Sequence, residues 1–131
     1  MQRTAVNPVT WSVGLGFNQG ELVSGQTRTL YVSGQTAMGD DGKPRHEGDI
    51  AGQLTLSIDN LEAVLREAGM SLANLVRLNV YTTDVDQLFP HYGALASRLG
   101  AAGVAPTTTM LGVTRLAVPG QMVELEGTAV A

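Results

Sequence analysis

The chain has 131 residues, no cysteine and a formal net charge of −4 from twelve acidic and eight basic side chains. That length suits one hydrophobic core, hence a single domain over residues 1–131, and the lack of cysteine excludes disulfides, thiol nucleophiles and the usual structural zinc sites, which fits a reducing, cytoplasmic setting. The basic residues are scattered and form no stripe for a phosphate backbone, and no apolar run reaches the length of a membrane span; neither nucleic acid nor a bilayer is an expected partner.

Residues 1–8 lack the apolar stretch of a secretion signal. Glu21 to Val23 and Thr29 to Val32 read as short strands, and the turn residues Ser24-Gly25-Gln26-Thr27 predict that the two pair as a hairpin. The turn-rich run Gly39-Asp40-Asp41-Gly42-Lys43-Pro44 places a loop before Asp49. From there Ile50, Leu54, Ile58, Leu61, Leu65 and Ala68 recur at intervals of four and three, the stripe of an amphipathic helix with Asp49 as N-cap and Gly69 as left-handed terminator. Val76, Leu78 and Val80 alternate with Arg77, Asn79 and Tyr81, which predicts a strand and, with the preceding strand and helix, a right-handed parallel crossover.

Asp84 or Asp86 can cap a second helix running to about Leu99, with Leu88, Tyr92, Leu95 and Leu99 facing inward and Pro90 in its first turn. Thr107 to Val113 and Gln121 to Thr128 are β-rich segments joined through Val118-Pro119-Gly120. Two helices cover only one face of such a sheet. The other face is expected to carry Thr108, Met110, Met122 and Glu124 and to need covering, most simply by another copy of the chain.

A series of short signatures runs along the chain: Val32-Ser33-Gly34-Gln35, Gly48-Asp49-Ile50 with Gln53, Asn60-Leu61, Glu67-Ala68-Gly69, then Pro106, Arg115-Leu116 and Val123-Glu124-Leu125-Glu126. In this order and at these spacings they resemble the Rid family, also called the YjgF family, from about Phe17 to the C-terminus. The resemblance implies an α+β, chorismate-mutase-like fold, a five- to six-stranded mixed sheet with two helices on one face. It implies a homotrimer with small-molecule sites in clefts between subunits. The activity it implies for the best-known members is hydrolysis of reactive 2-enamino or 2-imino acids to 2-oxo acids and ammonia, with no metal and no organic cofactor, and for this chain hydrolysis of a reactive enamine, imine or related small metabolite.

Carried over position by position, the resemblance makes Glu124 the carboxylate that holds water and Gly34, flanked by Ser33 and Gln35, the close approach of backbone to ligand. Phe17, Tyr92, Thr108 and Met110 complete the implied substrate pocket. The position where deaminating members carry a carboxylate-binding arginine is Thr108, which puts this chain outside the arginine-dependent branch; Arg28, Arg45 and Arg115 are the candidate replacements.

Each candidate has a plainer reading. Glu124 could pair with a cation at an interface, Glu126 ranks below it as a base, and Thr107 and Thr109 are ordinary strand residues. His46 and His91 have no metal-ligand spacing, Gly14 to Gly20 lacks the strand-to-helix setting of a dinucleotide loop, and Ser33 has no triad partners. The competing functions are therefore an enamine or imine hydrolase, a non-catalytic trimeric metabolite-binding protein and, third, a ribonuclease or translation inhibitor, which the acidic balance disfavours.

Overall fold

The computed structural model describes residues 1–131, and its longest element starts where the sequence places an N-cap. Helix α1 spans Ile50–Glu67, and the Asp49 carboxylate accepts the Gly52 N–H at 3.0 Å. It ends at Gly69 with φ +70°, where Met70 N–H donates to Leu65 C=O and Gly69 N–H to Arg66 C=O, the paired bonds of a Schellman motif. The stripe Ile50, Leu54, Ile58, Leu61 and Leu65 is buried throughout.

Six strands form two sheets. β1 (Gln2–Val6) and β2 (Gly20–Ser24) make an antiparallel pair; β3 (Thr29–Gln35), β4 (Leu75–Thr82), β5 (Thr107–Gly112) and β6 (Val123–Val130) make a four-stranded sheet in the order β3-β6-β4-β5. β4 and β5 are parallel and β6 is antiparallel to both β3 and β4, so the sheet is mixed. β3 and β4 therefore run parallel, as expected for strands joined through α1, but β6 is inserted between them.

The predicted hairpin does not form. β2 pairs with the N-terminal strand, which residues 1–8 did not announce, while β3 pairs with β6. Gly25, with φ +73°, redirects the chain between sheets instead of folding it back. Arg3 fixes the small sheet to the large one, bonding the Glu21 carboxylate, Ala73 C=O and Leu75 C=O.

The second predicted helix is also interrupted. α2 (Val85–Leu88), capped by Asp84, leads into a 3-10 turn at Phe89–His91 and then α3 (Gly93–Ala101). Pro90 lies at the break, not in the first turn, because it lacks the N–H an α-helix needs there and its ring crowds the preceding turn. Leu88, Leu95 and Leu99 still pack with α1 onto Leu78, Val80, Val123, Leu125 and Ala129 of the sheet. No helix is long and apolar enough to cross a membrane.

Candidate functional site

Cross-strand partners share a face of a sheet, so register decides which side chains meet. Thr108 pairs with Leu78 and Met110 with Val80, both buried beneath the helices; Glu124 pairs with Tyr81 and Glu126 with Asn79, on the uncovered side. The expectation that Thr108, Met110 and Glu124 share one face is thus corrected. β5 runs parallel to β4, and its even-numbered residues join the helix side, whereas antiparallel β6 places its even-numbered residues on the open side.

On the helix side, at edge strand β5, Leu15, Phe17, Phe89, Tyr92, Thr108 and Met110 line a cleft of about 230 Å³. The N-terminal arm reaches it because Asn18 N–H donates to Ala105 C=O at 3.1 Å, one residue from Phe17 and three from Thr108. Asn7 holds that arm through Asn18 and the Gln19 N–H, and Trp11 packs edge-on against Phe17 with ring centres 5.8 Å apart. The break at Pro90 sets Phe89, 63% exposed, at the mouth. Thr108 is the cleft's only hydroxyl apart from that of Tyr92, and it donates to Pro106 C=O at 2.8 Å.

On the open side the site is built around a bulge. Val32 pairs with Gly127 and Gln35 with Leu125, so Ser33 and Gly34 together oppose Glu126. The Glu124 side chain lies across Gly34: a Cβ there would overlap its carboxylate and stand 2.6 Å from Cδ and 3.0 Å from Cγ. Gln35 turns back to donate to Ser33 C=O, and Ser33 is exposed.

The two glutamates differ. Tyr81 O–H and Asn79 Nδ2 donate to Glu126 Oε1 at 2.6 and 2.8 Å, and these bonds, with the nearby Arg77 charge, hold its carboxyl below the usual range. No side chain donates to Glu124; burial raises its pKa, and the negative charge of Glu126 raises it further. Glu126 is accordingly an anchored carboxylate, and Glu124 a half-buried one with its lone pairs unclaimed.

None of the candidate arginines lines the cleft. Arg28 caps Ala68 C=O at the end of α1, Arg45 pairs with Asp41 in the turn before α1, and Arg115 sits in the loop between β5 and β6. Thr107 and Thr109 have structural bonds, to Val76 C=O and from Arg77. Sequence reasoning missed Leu15 and Phe89 in the cleft, and Asn79, Tyr81 and Arg77 around the glutamates. Only the alternation of residues 77–81 carried a signal, since it put the polar members on one face.

A mixed sheet backed by helices, with an unclaimed carboxylate on its bare face and an apolar cleft at one edge, defines a small α+β protein of the YjgF-like fold. The family profile described as Endoribonuclease L-PSP matches residues 16–131, and the chain belongs to this family, that of the Rid and YjgF proteins. It is 32% identical over 126 residues to protein mmf2, mitochondrial, of Schizosaccharomyces pombe, covering 96% of each chain, and 34% identical over 88 residues to the RutC family protein YjgH of Escherichia coli, covering 67% of this chain and 66% of that one. The crystal structure of YyfB, a Rid family protein of unknown function from Yersinia pestis, superposes with a TM-score of 0.88 at 30% identity over the full length of both chains.

Proposed function

We propose that this protein hydrolyses a reactive enamine or imine with a water held by Glu124, in a cleft completed by a second copy of the chain and without an arginine anchor. The observation that carries the reading is the Glu124 carboxylate, seated on Gly34 at a strand bulge, half-buried and free of donors. Such a group can accept a proton from water as the oxygen attacks the C=N carbon. The resulting carbinolamine takes a proton on nitrogen, its C–N bond breaks, and the products are a carbonyl compound and ammonia. An enamine first tautomerises to the imine.

The two halves of the site, the cleft with Phe17, Tyr92, Thr108 and Met110 and the carboxylate with Ser33, Gly34 and Gln35, occupy opposite faces of one sheet. Association of copies is the economical way to join them, and a closed ring such as a trimer repeats the same junction. Apolar side chains left outside support it: Trp11 and Phe89 are each 63% exposed beside the cleft, and Tyr31 is 79% exposed on the bare sheet face. The cysteine-free composition supports the cytoplasm as the place of action.

The test is ammonia release when the protein is mixed with imines generated in place by an amine or amino-acid oxidase. Acceleration over buffer that falls about a hundredfold or more in Glu124→Gln is the expected outcome; no acceleration for any imine overturns the proposal. The cleft's lack of charge also favours a second reading, metabolite binding without turnover. Saturable binding that survives Glu124→Gln, with no product formed, would select it.

A further inference from the structure

We propose that the cleft is shaped for an imine or enamine that bears an apolar substituent and no carboxylate, with Thr108 as the specificity-determining residue that accepts the substrate N–H. This rests on the hydrolytic reading of the same site and deepens it.

Three observations converge. The cleft walls are Leu15, Phe17, Phe89, Tyr92 and Met110, and about 230 Å³ accommodates a small aromatic or branched aliphatic group. A carboxylate placed there would lose hydration with nothing to replace it, because charge is tolerated in an apolar site only when paired.

Second, the cations are accounted for elsewhere. Of the eight basic residues, Arg3, Arg28, Arg45, Arg77 and Arg98 bond to groups outside the cleft. Lys43 lies in the turn before α1, Arg66 in the last turn of α1, and Arg115 in the β5–β6 loop. The opposing half of the site brings Glu124 with Glu126 nearby; the one cation beside them, Arg77, donates to Thr109 and its charge acts on Glu126, which leaves the unclaimed carboxylate of Glu124 to repel an anionic substrate.

Third, the Thr108 hydroxyl proton is committed to Pro106 C=O at 2.8 Å. The oxygen keeps lone pairs and no hydrogen to offer, so it suits a donor such as an imine or enamine N–H and is mismatched to a carboxylate. The balance of the reaction is unchanged: water adds its oxygen to carbon, the C–N bond breaks, and ammonia leaves with the protons.

The experiment compares substrates that share a side chain: the imine from oxidation of 2-phenylethylamine and the imino acid from oxidation of phenylalanine. The neutral imine is expected to have a kcat/KM at least about tenfold higher. Thr108→Val, which keeps the shape but loses the acceptor, should lower the neutral rate about tenfold, and Thr108→Arg should shift the ratio toward the acid by a similar factor. Equal rates, or a preference for the acid, overturn the proposal, as does an unchanged ratio in folded Thr108→Arg together with an unchanged neutral rate in Thr108→Val. If neither compound is hydrolysed, the hydrolytic reading fails and calorimetry with Glu124→Gln decides selectivity alone: binding of phenylacetamide at least tenfold tighter than phenylacetate supports it, and equal or reversed affinity overturns it.

Discussion

Gly34 and Glu124 constrain one another more tightly than any other pair at the site. Gly34 has an ordinary backbone conformation, so alanine is allowed by φ; the obstacle is the Glu124 side chain where the Cβ would go. That obstacle is flexible. Gly34→Ala is therefore expected to cost less than about 1 kcal/mol in denaturant unfolding, since Glu124 can swing away, while kcat/KM falls about tenfold or more because the carboxylate is displaced. Glu126 tunes the same group from one pleat along the strand. A base works when deprotonated, so a raised pKa moves the acid limb of the rate profile upward; Glu126→Gln removes the repelling charge, lowers the Glu124 pKa and should shift that limb to lower pH. Because burial is the larger cause, the limb should stay above that of an ordinary carboxylate. A profile unmoved by Glu126→Gln would deny the coupling.

At the scale of elements, several signature residues prove to be joints. Gln53, fully buried on α1, donates to His46 C=O and Gly120 C=O and accepts the Met122 N–H, tying the helix to the loop before it and to the approach of β6. Asn60 donates to Thr36 C=O and Met38 C=O just after β3. Gln53→Ala leaves the Met122 N–H and the Gly120 C=O unpaired beside a void, while His46 C=O keeps the Asp49 N–H, and should cost about 2–3 kcal/mol in urea unfolding. These joints set the ends of β3 and β6, and hence the bulge under Glu124. Helix α1 was legible from its stripe, cap and terminator because those signals are local, and β4, β5 and β6 from alternation and composition. Partner choice was not. The turn at Ser24 to Thr27 looks like a hairpin connection, yet long-range pairing with β1 and β6 outweighs it. The site divided in the same way: Gly34, Thr108 and Glu124 stand out along the chain, but their faces depend on strand direction and bulges, which no short window contains. Phe89 enters the cleft through a helix break that periodicity passed over.

For the whole molecule, the proposed function divides the site between two sheet faces and so predicts that activity is a property of the assembly. Glu124→Gln chains lack the base, and Met110→Trp chains have a filled cleft. Each alone should be inactive, but refolded together in equal amounts they should regain about a quarter of wild-type activity, since one junction in four unites an intact cleft with an intact carboxylate. No recovery in a verified mixed assembly would mean that each chain works alone. The central place of β6 carries a different consequence, for biosynthesis. Leu30 and Leu75 both pair with Ala129, so neither ladder can begin until residues 123–130 have emerged from the ribosome. Until then β4 can pair only with β5, and the leucines of α1 lack most of the sheet that receives them, so closure is expected to be late and cooperative.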